Sequence, residues 1–290
     1  MTEAMTLSPH RRLGPAWFMT PATRADRYAS ALTCDADVAL VDLEDSVAAD
    51  AKDQARRDAR AFFAQDGGRC VLGIRVNALS TLDGTKDLAA IAAYPRKPDL
   101  ILLPKTETAR DIALLAAVLG TPAYTPMLFA LIETPRAVDR LPEILAAPRL
   151  SGAVFGSADY ALELGTHTGW EAMRHARHSI ANSCAAAGLI AIDTPYFELN
   201  DTAGLTAEAH RAKGIGFHGK GAIHPRQLPH ITEAFRPTDD EIAEARAIVT
   251  AAEHSGDHIT SVDGHMRGTP FFTRARRLLA GLDEPQEQQR

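Results

Sequence analysis

The stretch Asp-Val-Ala-Leu-Val-Asp-Leu-Glu-Asp, residues 37–45, shows the pattern on which the fold prediction rests. A short apolar run is followed at once by three carboxylates, those of Asp42, Glu44 and Asp45. Short apolar runs bounded by polar residues are typical of buried strands. The stretch therefore predicts a buried strand with acidic groups at its carboxyl end.

Seven further apolar runs alternate with longer segments of helical period on either side of this stretch. The eight predicted strands are Ala16–Thr20, Asp37–Asp42, Cys70–Val76, Asp99–Leu103, Met127–Ile132, Ala153–Gly156, Leu189–Asp193 and Lys220–Ile223. Predicted helices include Arg24–Thr33, Asp50–Ala64, Glu107–Leu119, Glu171–Ala187 and Ala203–Lys213. This alternation fits either a closed (β/α)8 barrel, known as a TIM barrel, or a doubly wound open sheet.

Nearly every predicted strand ends in a residue whose side chain can do chemistry. These residues are Asp42, Arg75 with Asn77, Lys105, Glu133, Asp159, Asp193 and His224. In a barrel the carboxyl ends of the strands surround one mouth, whereas an open sheet would spread them along a crevice. Their convergence favours a barrel over residues 16–235, preceded by a tail at residues 1–15.

The chain continues beyond what a barrel requires. Helical patterns cover Arg226–Ala234, Thr238–His254 and a basic segment, Phe271–Leu282, with the polar, Gly-containing stretch Ser255–Gly268 between the last two. Residues 236–282 are therefore predicted to form a helical extension that packs on the barrel or on a neighbouring subunit. Residues 283–290 are predicted to be a disordered tail.

Composition excludes several classes of protein. The chain has 290 residues, a net charge of −6 and no dominant basic block, which argues against nucleic acid as a partner. The three cysteines form no CxxC pair, as expected in a reducing compartment. No apolar segment reaches the ~20 residues that cross a membrane, and the N-terminus lacks a signal-peptide core. These features predict a cytoplasmic protein with no membrane partner.

Two carboxylates follow consecutive predicted strands. Glu133 lies in the run Leu-Ile-Glu-Thr at residues 131–134, and Asp159 ends the run Phe-Gly-Ser-Ala-Asp at residues 155–159. Such a pair suits Mg2+, which prefers hard oxygen ligands and keeps other positions for water or substrate. The alternative is that both residues cap the following helices, as acidic residues often do.

The acidic run after the second predicted strand is open to two interpretations. The carboxylates of Asp42, Glu44 and Asp45 would repel one another unless a cation, an arginine or water compensates them. An ordinary loop could also carry such a run. Because the run faces the same predicted mouth as Glu133, a functional role is favoured.

Two basic residues also end apolar strands. Arg75 could grip a carboxylate or a carbonyl oxygen of a substrate, or it could be a structural ion-pair partner of Asp42 or Asp45. Both roles could hold together. Lys105 occupies a similar position, with the same two possibilities.

At these motifs the sequence resembles the citrate lyase β-subunit family, in the HpcH/HpaI group of metal-dependent barrel aldolases that includes malyl-CoA and citramalyl-CoA lyases. The resemblance runs from about Trp17 to Leu279. Its motifs are DVALVDLEDSVA at 37–48, GIRVN at 73–77, LLPK at 102–105, LIET at 131–134, FGSAD at 155–159, AIDTPY at 191–196 and GKGAIHP at 219–225. It implies a TIM barrel with Mg2+, or alternatively Mn2+, as cofactor.

The resemblance also implies roles for individual residues. Glu133 and Asp159 match the metal ligands, while Arg75 matches the arginine that holds the substrate, with acidic Glu44 and Asp45 beside it as catalytic candidates. The implied substrate-binding set is Thr23, Arg24, Asp42, Arg75, Lys105, Glu133 and Pro195, of which Thr23, Arg24 and Pro195 lie in segments that border the coenzyme A arm. A homotrimer or hexamer is implied as well.

The C-terminal segment departs from the family pattern. Related sequences carry an aspartate there, supplied across the subunit interface as an acid or base, but Gly268 stands at that position here. Glycine cannot transfer a proton, and neither Asp263 nor His265 occupies the matching position. A general acid or base contributes roughly 100- to 10,000-fold in rate.

The resemblance implies a Mg2+-dependent carbon–carbon lyase. It would cleave a 3-hydroxyacyl-CoA, such as a malyl-CoA, citramalyl-CoA or citryl-CoA, into an acyl-CoA thioester and a 2-oxo acid. The alternatives are a hydroxyacyl-CoA thioesterase, an aldolase whose substrate lacks coenzyme A, and a non-catalytic CoA-binding subunit.

Overall fold

In the computed structural model, which describes residues 13–283, eight parallel strands close into a barrel in sequence order. The strands are β1 (Ala16–Pro21), β2 (Val38–Asp42), β3 (Val71–Arg75), β4 (Leu100–Leu103), β5 (Met127–Ile132), β6 (Leu150–Phe155), β7 (Ile190–Asp193) and β8 (Gly219–Ala222). Strand β1 pairs with both β2 and β8, which closes the barrel. The TIM barrel prediction is confirmed, and the open sheet is excluded.

Helices follow the strands around the barrel. They are α1 (Tyr28–Thr33), α2 (Lys52–Phe63), α3 (Leu82–Ala92), α4 (Ala109–Leu119), α5 (Pro135–Asp139), α6 (Leu141–Leu145), α7 (Ser157–Leu164), α8 (Trp170–Ala187), α9 (Thr202–Gly214) and α10 (Leu228–Phe235). Helix α5 shows how local sequence starts a helix: the Thr134 hydroxyl accepts a hydrogen bond from Ala137 N–H, and Pro135 occupies the first turn. Only Glu133 and Thr134 therefore separate β5 from α5.

The core consists of two apolar layers. Side chains such as Trp17, Leu40, Phe129 and Ile192 form a cluster contributed only by the barrel strands. A larger cluster joins the strands to the surrounding helices. Both faces of the strands are therefore covered, which explains why they appear in the sequence as nearly continuous apolar runs.

Residues 236–283 form a second compact unit. Its elements are α11 (Asp239–Ser255), β9 (Thr260–Val262), β10 (His265–Arg267) and α12 (Thr269–Asp283). Ile248 and Ala252 of α11 share a buried apolar cluster with Phe272 of α12. The predicted packing of this unit on the barrel or on a neighbouring subunit stays a prediction.

This unit contains a hairpin that was not predicted from the sequence. Within the polar stretch Ser255–Gly268, β9 and β10 pair as an antiparallel hairpin. Asp263 and Gly264 form its turn with positive φ angles of 48° and 78°. Such a turn favours Asp-Gly.

The predicted tails fall mostly outside the described residues, which exclude residues 1–12 and 284–290. Asp283, assigned to the tail, is instead the last residue of α12. Between residues 13 and 283, no helix has the length and apolar character required to span a membrane.

Candidate active site

A cavity of about 490 Å3 opens at the carboxyl ends of the strands. Its wall combines apolar residues of the barrel interior, including Trp17, Leu102 and Ile192, with charged residues at the strand ends. The charged lining residues are Arg27, Asp42, Asp45, Arg75, Glu133 and Asp159. The barrel thus gathers most of the charged groups predicted from the strand ends around one cavity.

Arg75 and Asp42 form the most buried ion pair of this cavity. They lie opposite each other in neighbouring strands, and Arg75 donates through Nε and Nη2 to the two Asp42 carboxylate oxygens, each at 2.7 Å. Burial by itself raises the pKa of Asp42, but Arg75, Ser46 and the Glu44 N–H together hold that pKa below its usual value. Asp42 is therefore ionised at neutral pH.

Glu44 and Asp45 lie on the remaining side of the guanidinium. Arg75 Nη1 is 2.9 Å from Glu44 Oε2 and 3.4 Å from Asp45 Oδ2. Burial raises the pKa of Glu44 to about 8, although Arg75 lowers it in part. Asp45 lines the cavity and is exposed, whereas the more buried Glu44 is not among the lining residues.

Glu133 directly follows β5, lines the cavity and is almost fully buried. A methyl group added to Gly156 would lie 2.6 Å from Glu133 Cβ and 2.8 Å from its Oε2, so only glycine lets the two segments approach this closely. Burial raises the pKa of Glu133 to about 7, a shift that Lys105 opposes and Asp159 increases. A nearby cation would therefore stabilise the ionised form of Glu133.

Lys105 supplies a cation there. Its Nζ lies 2.8 Å from Asp159 Oδ1 and 3.5 Å from Glu133 Oε1, so one ammonium bridges both carboxylates. The two oxygens cannot be farther apart than the sum of these distances. Of the two roles considered for Lys105, the structure shows the ion pair.

The two bridged carboxylates could hold a divalent cation. Glu133 is buried, while the Asp159 side chain is 29% exposed, so a cation between them could be reached from the cavity. Within residues 13–283, no group of three or more His, Cys, Asp or Glu side chains is arranged to hold a metal. A cation here would thus have two protein carboxylates and further positions for water or substrate oxygens.

Only one of the three residues assigned to the coenzyme A arm is among the described lining of the cavity. Pro195 lines the cavity, as do Pro21 and Arg27. Thr23 and Arg24 do not belong to the described lining, and Arg24 instead pairs with Asp26 through hydrogen bonds of 2.8 and 2.7 Å. Arg27 was missed from the sequence, because one exposed arginine in a helical stretch carries no distinguishing signal.

A hydroxyl pair was also missed. Ser157 Oγ and Thr194 Oγ1 lie 2.8 Å apart, buried between the ends of β6 and β7. Both residues line the cavity together with Phe197, and they also line an adjoining cavity of about 530 Å3. Ser157 lies inside the FGSAD motif, which was the available signal, but its partner could be found only from the fold.

Asp193 belongs to a buried network outside the cavity lining. It pairs with Arg177 Nε at 2.9 Å and with Lys220 Nζ at 2.7 Å, and Glu208 contacts both cations. Burial of Asp193 is outweighed by Lys220 and Arg177, which hold the pKa of Asp193 below its usual value. This strand-end residue therefore contributes to the structure of the barrel.

Two other strand-end residues have structural contacts as well. Asn77 binds the buried Asp87 at 2.7 Å through its side chain and its backbone N–H. His224 accepts a hydrogen bond from Arg226 N–H at 3.2 Å and caps the short 3-10 turn Pro225–Gln227. Neither residue is among the described lining of the cavity.

Comparison with known proteins shows the family of the chain. Residues 17–225 match the HpcH/HpaI aldolase/citrate lyase family. The citrate lyase subunit beta of Escherichia coli is 35% identical over 97% of this chain and 97% of its own length. The (3S)-malyl-CoA thioesterase of Cereibacter sphaeroides is 36% identical over 84% of this chain and 86% of its own.

The barrel also has a close counterpart among solved structures. Protein CitE from Mycobacterium tuberculosis, in complex with magnesium, acetoacetate and coenzyme A, is similar with a TM-score of 0.81 and 33% identity, over 93% of this chain and 98% of that one. The match extends beyond the barrel strands to most of the chain. From its motifs, its closed barrel and its match over residues 17–225, the chain belongs to the HpcH/HpaI aldolase/citrate lyase family.

Proposed function

We propose that the protein is a Mg2+-dependent carbon–carbon lyase that cleaves a 3-hydroxyacyl-CoA into an acyl-CoA and a 2-oxo acid. The observation that carries the proposal is that Glu133 and Asp159, which both line the cavity, contact one and the same ammonium group. Arg75 lines the same cavity, and its Nη1 pairs with the buried Glu44 and the exposed Asp45. A substrate anion would therefore meet a guanidinium and a metal position together.

The residues present fit a magnesium ion. Hard carboxylate oxygens are the ligands that Mg2+ prefers, and two of them already share one ammonium. When bound, the ion would stabilise negative charge on the carboxylate and carbonyl oxygens of the 2-oxo acid as the carbon–carbon bond breaks. The magnesium-bound CitE structure, 33% identical, supports this assignment.

Arg75 is the residue that would orient the reacting oxygen. Asp42 engages its Nε and Nη2, which leaves Nη1 as the donor that can exchange a carboxylate partner for substrate. Because Asp42 fixes the orientation of the guanidinium, Nη1 is already positioned before the substrate binds. A preorganised donor at a developing charge commonly contributes several kcal/mol, about 2.7–4, to catalysis.

The cavities have room for a long thioester. The cavity above the carboxylates and its neighbour share Pro195, Phe197, Ser157 and Thr194, so a substrate arm could pass from one to the other. Arg27 lines the first cavity and Arg211 lines the second, so each offers a positive charge to an anionic group of the substrate. These features support coenzyme A as the carrier.

Cleavage also requires proton transfer. A base removes the proton of the substrate 3-hydroxyl, and an acid protonates the enolate carbon of the departing acyl-CoA. Glu44 and Asp45 are the carboxyl groups beside Arg75, and the pKa of Glu44, about 8, allows it to carry a proton at neutral pH. Gly268 supplies no acid from the C-terminal segment.

The test is product analysis by mass spectrometry. Purified protein is incubated with Mg2+ and a panel of 3-hydroxyacyl-CoAs, and acyl-CoA and 2-oxo acid are expected to appear in equal amounts. Glu133→Gln should abolish this Mg2+-dependent turnover, whereas Glu163→Gln, an exposed change on α7, should preserve it. Unchanged turnover in Glu133→Gln would remove the metal from the mechanism.

A second candidate is hydrolysis of the thioester. It is favoured by the similarity to a (3S)-malyl-CoA thioesterase and by Gly268 at the position where an acid is expected. The same assay separates the two activities, because hydrolysis releases free coenzyme A and an intact hydroxy acid. Calorimetric titration with acetyl-CoA tests the carrier independently of turnover, and absence of binding would contradict both candidates.

A further inference from the structure

Lys105 has an unusual backbone conformation. Its φ angle is +49°, in the left-handed region that residues other than glycine seldom occupy. The residue follows directly after β4 and Pro104, and the neighbouring Thr106 hydroxyl donates to Leu103 O at 2.9 Å, which fixes the turn. Such conformations persist where the surrounding structure requires them, often at functional sites.

The conformation lets Lys105 contact both proposed metal ligands through different groups. Its backbone N–H donates to Glu133 Oε1 at 2.7 Å. Its ammonium lies 2.8 Å from Asp159 Oδ1 and 3.5 Å from the same Glu133 oxygen. The backbone thus holds one carboxylate in place, while the side chain occupies the position between the two.

We propose that the Lys105 ammonium is a built-in cation that holds Glu133 and Asp159 together until a divalent metal displaces it. Lys105 thereby sets the affinity of the site for the metal. This inference rests on the proposed metal site and adds a competitor within the same chain.

The electrostatics of the pair explain why such a cation is needed. Two carboxylates in one partly buried site repel each other, and a cation between them removes the repulsion. A metal ion and an ammonium cannot occupy the same position, so metal binding must break the contacts of Lys105 Nζ. The Lys105 side chain is 34% exposed, so its head group has a path into the cavity.

Metal binding need not break the backbone contact of Lys105, unlike the contacts of its ammonium group. The Lys105 N–H can remain on Glu133 Oε1 after the side chain has moved, because the turn is held by Thr106. Displacement therefore changes the side chain alone. Substitutions of the side chain should reveal the competition without disturbing the ligand that the backbone positions.

The test measures Mn2+ binding by electron paramagnetic resonance in the absence of substrate. Lys105→Met should bind Mn2+ about 3- to 10-fold more tightly than the unchanged protein, as expected for the loss of a partly exposed ion-pair competitor. Lys105→Gly, which accepts a positive φ and keeps the N–H donor, should show a similar gain. Lys86→Met is the matched control, because it removes the same charge from an exposed lysine on α3.

A second readout is thermal unfolding in EDTA and in Mg2+. Tighter binding should make the rise of Tm on adding Mg2+ larger in Lys105→Met than in the unchanged protein. Equal or weaker Mn2+ affinity in folded Lys105→Met and Lys105→Gly overturns the proposal. An equal gain of Mn2+ affinity in Lys86→Met also overturns the proposal, since the gain would then come from the change in net charge.

The outcomes separate this inference from the proposed function. Mn2+ binding that is lost in Glu133→Gln but unchanged in Lys105→Met would leave the metal site standing and remove the competition. Absence of Mn2+ binding in the unchanged protein and in every variant would contradict the metal site itself.

Discussion

Arg75 grips Asp42 through two parallel hydrogen bonds of 2.7 Å across neighbouring strands of the barrel. Asp42 is fully buried, and Arg75 is 9% exposed. The hydrogen bonds between them are therefore largely shielded from water, although both residues line the cavity. They also hold Arg75 so that Nη1 remains toward Glu44 and Asp45.

Removal of Asp42 should destabilise the barrel. Asp42→Ala leaves the Arg75 guanidinium buried with its main partner missing, and breaking a buried pair in this way costs about 3–5 kcal/mol. Urea unfolding measures the loss. Asp26→Ala breaks the exposed pair with Arg24 and should leave the unfolding midpoint unchanged. A loss in the control as large as that in Asp42→Ala would contradict the importance of burial.

Gly156→Ala should weaken metal binding. The added methyl group would fall 2.6 Å from Glu133 Cβ, which is closer than side chains pack, so Glu133 or the β6–α7 connection must move. We expect Mn2+ affinity to fall about tenfold, the size of effect that a misplaced ligand-supporting residue produces. Gly214→Ala is the control, because its added methyl group meets nothing within 4 Å. Equal affinity in both variants would show that Glu133 needs no such clearance.

The metal-free protein should become less stable as pH rises toward 8. Burial raises the pKa of Glu44 to about 8 and that of Glu133 to about 7, while the pKa of an unfolded glutamate is about 4.3. Between these values the folded state binds protons that the unfolded state has released, so stability falls with rising pH. Urea midpoints in EDTA at about pH 6 and about pH 8 measure this slope.

Two substitutions identify the groups responsible for that slope. Glu44→Gln and Glu133→Gln each remove one titrating carboxyl group, so each should flatten the dependence on pH. Glu163→Gln changes an exposed glutamate and should leave the slope as it was. A slope equally steep in all three variants would assign the pH dependence to other residues.

Gly268→Asp should increase lyase turnover. Gly268 O accepts the hydrogen bonds of Phe271 and Phe272 N–H at the start of α12, so the residue lies at a helix N-cap, which aspartate favours. An added Cβ meets Ile259 Cγ1 at 3.2 Å, a contact that a flexible side chain can relieve. The family resemblance implies that this segment supplies an acid or base across the subunit interface, so the added acid should raise turnover by roughly 100-fold or more.

Gly268→Asn separates the proton from the shape of the new side chain. Asparagine caps a helix as aspartate does but cannot transfer a proton. The rate at which the acyl-CoA product forms should therefore increase in Gly268→Asp and stay unchanged in Gly268→Asn. Gains of the same size in both variants would assign the effect to structure, and no gain in either would place the acid elsewhere.

The positions of the strands were predictable because each depends on a local pattern. The run at residues 127–132 is both predicted and observed as a strand, while β6 begins at Leu150, earlier than its apolar core suggested. The hairpin β9–β10 was missed although Asp263-Gly264 is a strong local turn signal. The hairpin, like the strands, therefore depends on a local signal.

The partners of the strand-end residues could not be predicted in the same way. Asp42 and Asp193 both follow apolar runs, yet Asp42 lines the cavity and Asp193 lies among Arg177, Lys220 and Glu208. Which groups meet depends on strand register and on residues far apart in the chain. Family resemblance assigned Glu133 and Asp159 to one ion, but no sequence feature placed the Lys105 ammonium between them.

The sequence by itself determined that this protein alternates strands and helices and carries polar groups at the strand ends. Those properties follow from apolar period and from the chemistry of single residues, which are local. Only the tertiary structure decided that Arg75 is held by Asp42, that Gly156 makes room for Glu133 and that one lysine bridges two carboxylates. Each of these depends on distances across the closed barrel, because closure brings neighbouring strand ends to a single rim.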